Sequence, residues 1–197
     1  NTLDTDLSGT VSSISLGRDG NPLVAYMGRA YETSITSIST NKQPSLNVVD
    51  CWDKKCSKHN INYGLNFNNI SAGTGGFISM ATRDNGIAYI GFTSIKGLII
   101  AKCSDYSCSN TSNRILVDTA GGPYLDKFTS IAIGEDGLPI ISYGTVGESP
   151  TFKIAHCENT QCKDSVISVS GTGPDTGKYS SIVIGPDGYP LIGYIDF

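Results

Sequence analysis

Ser130-Ile131-Ala132-Ile133-Gly134-Glu135-Asp136-Gly137-Leu138-Pro139-Ile140-Ile141-Ser142-Tyr143 decides the fold, because the same phrase occurs twice more in the chain. It returns as Ser13-Ile14-Ser15-Leu16-Gly17-Arg18-Asp19-Gly20-Asn21-Pro22-Leu23-Val24-Ala25-Tyr26 and as Ser181-Ile182-Val183-Ile184-Gly185-Pro186-Asp187-Gly188-Tyr189-Pro190-Leu191-Ile192-Gly193-Tyr194, with a looser copy from Phe77 to Phe92. Self-similarity at a period of roughly 50 residues marks an architecture of repeated units, each too small to bury its apolar face alone. Ile131 and Ile133 alternate with small residues, as do Ile14 and Leu16, Ile78 and Met80, and Ile182 and Ile184. That period of two belongs to a half-buried strand. Asp-Gly then follows at 19–20, 136–137 and 187–188, with Asp84-Asn85-Gly86 as a version one residue longer. The pair predicts a hairpin with a type I′ turn, whose two central residues both take positive φ.

The hairpin's second strand ends at Tyr26, Phe92, Tyr143 or Tyr194, and a third strand leads into Cys51, Cys103 or Cys157. A second cysteine follows each after four residues, at Cys56, Cys108 and Cys162, and is expected to open a fourth strand. Four antiparallel strands per unit is the size of one propeller blade. The expected fold is therefore all-β: a single repeat domain over residues 1–197, a β-propeller of about four four-stranded blades. Its units fall near 11–72, 73–125, 126–176 and 177–197, the last taken together with 1–10. That last unit stops after its second strand. Leu3-Asp4-Thr5 echoes Val117-Asp118-Thr119, so the N-terminal segment 1–6 is expected to supply the incomplete blade with its fourth strand. The third place is left to the insertion at 29–44 or to a second chain, since an unpaired sheet edge invites pairing.

Composition narrows the function classes. With 39% hydrophobic residues, 16% charged residues and 23 glycines among 197, the chain can bury a core and suits short strands joined by tight turns. A net charge of −4, with Lys54, Lys55 and Lys58 as the one basic cluster, argues against a nucleic-acid partner. No run approaches the ~18 apolar residues of a membrane span. The chain begins at Asn1 with no signal-like segment, and is expected to be a mature or excised product whose targeting information has been removed.

The three Cys-x4-Cys pairs predict three local disulfides, 51–56, 103–108 and 157–162. Cysteines facing one another across a hairpin with a four-residue loop lie ~4.5–5.5 Å apart at Cα, within disulfide range. Zinc is the competing use, but His59 and His156 occupy unrelated repeat positions. Disulfides place the protein in an oxidising compartment, secreted or on a cell surface.

Turn chemistry accounts for Asp19, Asp136 and Asp187 without calcium binding or catalysis. Glu32, Glu148 and Glu158 escape the repeat but are scattered, and no nucleophile with an adjacent base and no phosphate loop is present. The expectation is a protein without catalytic residues, metal or cofactor, and not an enzyme. Trp52, the lone Trp, lies in the first cysteine hairpin and is a candidate contact residue. Tyr26, Phe92, Tyr143 and Tyr194 are expected to pack between blades, with a series of sugar-stacking platforms as their other candidate use. Asn69-Ile70-Ser71 and Asn110-Thr111-Ser112 are glycosylation sequons.

The phrase Ser-Ile-x-Ile-Gly-x-Asp-Gly-x-Pro-x-Ile-Ser-Tyr, with its Cys-x4-Cys, resembles repeat arrays in large extracellular proteins of bacteria. Its hairpin also looks like the Asp-box of sialidase-type propellers. The Thr-Trp that ends that box is absent, and Arg18, Arg29, Arg83 and Arg114 are the only arginines, so the resemblance does not imply sialidase activity. The expected function is a secreted or surface scaffold that assembles with copies of itself by strand complementation of its incomplete blade. The alternative is a monomeric, lectin-like propeller that binds a glycan or a surface protein.

Overall fold

The computed structural model describes residues 11–29, 44–63, 65, 77–94, 96–119, 128–145, 150–173 and 176–196. The segments 1–6 and 30–43, Glu32, Asn69 and Glu148 lie outside them. The described residues form four antiparallel sheets and no helix. Sheet 1 holds β1 (Ser12–Leu16), β2 (Pro22–Arg29), β3 (Pro44–Cys51) and β4 (His59–Asn62). Sheet 2 holds β5 (Ile78–Thr82), β6 (Ala88–Ser94), β7 (Gly97–Cys103) and β8 (Thr111–Asp118). Sheet 3 holds β9 (Thr129–Ile133), β10 (Pro139–Gly144), β11 (Thr151–Cys157) and β12 (Ser165–Thr172). Sheet 4 has two strands, β13 (Lys178–Ile184) and β14 (Pro190–Ile195).

The hairpin turn differs from the type I′ expectation. Gly20 N–H donates to the Gly17 carbonyl at 3.0 Å, and Gly17 N–H donates to the Asn21 carbonyl at 2.8 Å. Leu16 pairs with Pro22, so five residues make the connection. Gly20 alone among them takes positive φ, 74°, while Asp19 Oδ1 accepts the Asn21 N–H at 3.0 Å. The aspartate is there for its side-chain acceptor, which closes an Asx turn, and not for left-handed backbone. The 84–86 turn is not longer: Asn85 Oδ1 accepts the Ile87 N–H as Asp19 accepts that of Asn21. Asn85 thus occupies the aspartate position, and Met80, not Ile78, corresponds to Ile14. Asn85→Asp should change stability by no more than about 0.5 kcal/mol in a urea titration, because either side chain supplies that oxygen.

The sheets stack in chain order through their first strands: β1 packs on β5, β5 on β9 and β9 on β13. Each sheet has a leading face toward its predecessor and a trailing face toward its successor. Leu23, Ala25 and Val48 on the trailing face of sheet 1 share a buried cluster with Met80, Ile90 and Phe92 on the leading face of sheet 2. Tyr89 and Ile100 of sheet 2 meet Ile131, Ile141 and Tyr143 of sheet 3 in the same way. Serines fasten the inner edge. Met80 N–H donates to Ser13 Oγ at 2.9 Å, and Ile182 N–H donates to Ser130 Oγ at 3.1 Å, so a first-strand serine satisfies a backbone donor of the next sheet.

Candidate functional site

The disulfides Cys51–Cys56, Cys103–Cys108 and Cys157–Cys162 are formed, each with Cα atoms 4.8 Å apart. Their setting corrects the hairpin expectation. Cys51 pairs across the sheet with His59, and Cys103 with Thr111, so the second cysteine of each pair lies inside the turn and the fourth strand begins after it. Cys56, Cys108 and Cys162 take φ of 51°, 53° and 51°, a left-handed bend that lets a strand-end cysteine reach back into its own loop. Each closes a short loop, a constraint worth about 2 kcal/mol in the chain-entropy account.

Asp53, Asp105 and Asn159, two residues after each first cysteine, hold these turns. Asp53 accepts the Lys55, Ser57 and Lys58 amides and the Ser57 hydroxyl. Asp105 accepts the Ser109 amide and the Ser107 and Ser109 hydroxyls, and Asn159 Oδ1 accepts the Gln161 and Lys163 amides. The signal was in the sequence, as a recurring Cys-x-Asp/Asn-x-x-Cys, but these residues were not singled out. With their oxygens filled by donors, the two aspartates are poor cation ligands, and no group of three or more metal-ligating side chains occurs among the described residues.

The Ser57 hydroxyl first, then the amides, holds the Asp53 carboxyl at about 2, below its ordinary 3.8. A depressed folded value means that the turn's stabilisation is complete above 3.8 and is lost as pH falls through about 2. An NMR titration should place the Asp53 midpoint near 2; a midpoint at 3.8 would show the carboxylate to be unheld.

Three of the four aromatic candidates take the packing role and not the platform role. Tyr26, Phe92 and Tyr143 are buried and offer no face to a sugar, while Tyr194 is exposed with its ring centroid 4.6 Å from that of Phe152. Trp52 is exposed, and its Nε1–H donates to Asp50 Oδ2 at 3.3 Å. Burial raises the Asp50 carboxyl and the indole bond opposes that rise. Asn110 is exposed at the approach to β8.

Two polar groupings escaped the sequence reading. Asp118, at the end of β8, accepts the Tyr143 hydroxyl at 2.6 Å and the Lys153 ammonium at 2.8 Å on one oxygen, so sheet 2 is clamped to sheet 3. Burial, followed by the hydrogen bond to Asp118, raises the Tyr143 hydroxyl and keeps it neutral. The second grouping is a cleft of about 720 Å³ at the turn ends of sheets 1 to 3, where Ser15, Thr82, Arg83, Asp84 and Glu135 meet. One guanidinium and two carboxylates there suit a small polar solute, while nothing in the lining pairs a nucleophile with a base.

No family model and no curated protein matches the sequence. Among solved structures, the chain is similar to a protein of unknown function from Dyadobacter fermentans DSM 18053, with a TM-score of 0.56 and 12% identity over 89% of this chain and 46% of that one. It is also similar to a thermostable family-43 glycoside hydrolase, with a TM-score of 0.46 and 12% identity over 90% of this chain and 61% of the other. The chain thus spans less than two thirds of either. The first likeness shows the all-β fold alone. A likeness at a TM-score of 0.46 decides nothing about activity, and the expectation that the chain is not an enzyme is withdrawn. At this identity no catalytic residue carries over to the present chain.

Proposed function

We propose that the chain is a secreted or surface scaffold of propeller-like blades that assembles with copies of itself through its unfinished fourth blade. The observation that carries this reading is the two-stranded sheet 4. Among the described residues β14 is hydrogen-bonded to β13 on one side and to no strand on the other. An edge of this kind accepts an extended segment through main-chain hydrogen bonds. The three disulfides accord with an oxidising compartment, and no helix among the described residues is long and apolar enough to cross a membrane. The test is the particle size of the non-reduced protein with and without residues 1–6. Ordered polymers that vanish on the deletion support strand exchange; a 20.8 kDa particle in both refutes it.

Trp52 favours a second reading. It and Tyr106 are exposed in the cysteine turns of neighbouring sheets, which suits lectin-like contacts. Glycan-array binding by the wild type that is lost in Trp52→Ala would support it, and a blank array would remove it.

A further inference from the structure

The internal junctions repeat one contact three times, and the two ends of the array carry its separated halves. On the leading side, Met80, Ile131 and Ile182 are 6%, 7% and 5% exposed, whereas Ile14, the same repeat position in sheet 1, is 64% exposed. On the trailing side, Leu23, Tyr89 and Ile140 are 1%, 0% and 5% exposed, whereas Leu191, their counterpart in sheet 4, is 68% exposed. Leu16 beside Ile14, and Val183 beside Leu191, are exposed too.

The turns repeat the pattern. A Cβ added at Gly86, Gly137 or Gly188 would meet Arg18, Arg83 or Glu135 of the preceding sheet, while at Gly20 it would meet nothing within 4 Å among the described residues. At the other end, Gly193 is open, whereas its counterpart Gly91 faces Ile131 and Ile141 of the next sheet. Both terminal faces are exposed, so the described strands do not close them on each other.

We propose that a second copy of this chain docks head to tail, the trailing face of sheet 4 against the leading face of sheet 1, as a fourth instance of the internal junction. The contact is confined to the inner strands. Tyr26, Val49 and Cys51, farther out on the leading face of sheet 1, are already buried, and sheet 4 offers only β13 and β14. Leu191 and Val183 pack over Ile14 and Leu16, and Ser181 Oγ accepts the Ile14 N–H as Ser13 accepts that of Met80. The two faces differ, so the contact is heterologous and propagates as a ring or a filament according to whether its rotation closes.

This inference rests on the self-assembly reading but assigns the contact to a face, where that reading assigns it to an edge. The test is sedimentation of the non-reduced protein, with circular dichroism to verify folding of the variants. Leu191→Lys and Ile14→Lys, each at an exposed position, should both sediment as the 20.8 kDa monomer. An equimolar mixture should stop at the dimer, because each variant retains one intact face. Variants that still polymerise would overturn the face contact and leave the edge reading intact, and a mixture that remains monomeric would overturn the pairing of these two faces. A monomeric wild type would refute both.

Discussion

Lys153→Met is expected to lower the free energy of unfolding by about 3 kcal/mol at neutral pH, read from urea denaturation. The side chains of Lys153 and Asp118 are only 18% and 12% exposed, and both Lys153 and Tyr143 bond the same carboxylate oxygen of Asp118. Removing the ammonium leaves a desolvated carboxylate that keeps the Tyr143 hydroxyl but has lost the Lys153 charge. That is the costly way to break a buried pair. Tyr143→Phe should cost less, about 2 kcal/mol, because the ion pair survives the lost hydroxyl. The double variant Lys153→Met with Asp118→Asn should recover much of the loss, since no charge is then stranded. A change below about 0.5 kcal/mol in Lys153→Met would show the clamp to be solvated like an ordinary surface pair.

Gly97→Ala is the second large effect, expected at about 3 kcal/mol or more. Gly97 opens β7 with φ of 134°, a conformation closed to L side chains, and a Cβ there would sit 1.8 Å from the carbonyl oxygen of Asp118. That neighbour is backbone of the adjacent strand, so relief requires β8 to move, and β8 carries the clamp. Gly193→Ala provides the contrast. Nothing described lies within 4 Å of its Cβ position, so its effect on the monomer should stay within about 0.5 kcal/mol. Thermal melts of the two variants side by side separate a glycine required by its backbone from one that faces open space.

How much of this was legible follows from what repeats. The Ile131/Ile133 alternation, the Asp-Gly turn and the cysteine spacing recur in register, so strands, hairpins and disulfides could be read from residue types. The turn type could not. Asp19 and Asn85 act through a side-chain oxygen, and an Asp-Gly pair looks the same whether its aspartate supplies backbone or acceptor. Spacing alone likewise gave no sign that Cys56 bends back at positive φ instead of starting a strand.

The Asp118, Tyr143 and Lys153 clamp was out of reach for a different reason. Its members lie on three strands of two sheets, and only Tyr143 belongs to the repeat phrase. Tyr26, Phe92 and Tyr143 were legible as a series that packs between blades, whereas the exposure of Tyr194 was not, because facing a neighbouring sheet and facing open space demand the same period of two. Exposure separates Ile14 from Ile131 and Leu191 from Ile140, and no property of the residues themselves does so.

The most direct test of self-assembly is the mass of the purified, non-reduced wild-type protein by light scattering, with electron microscopy of the same sample. The account predicts a regular assembly much larger than one chain; a compact particle of 20.8 kDa at every concentration would contradict it.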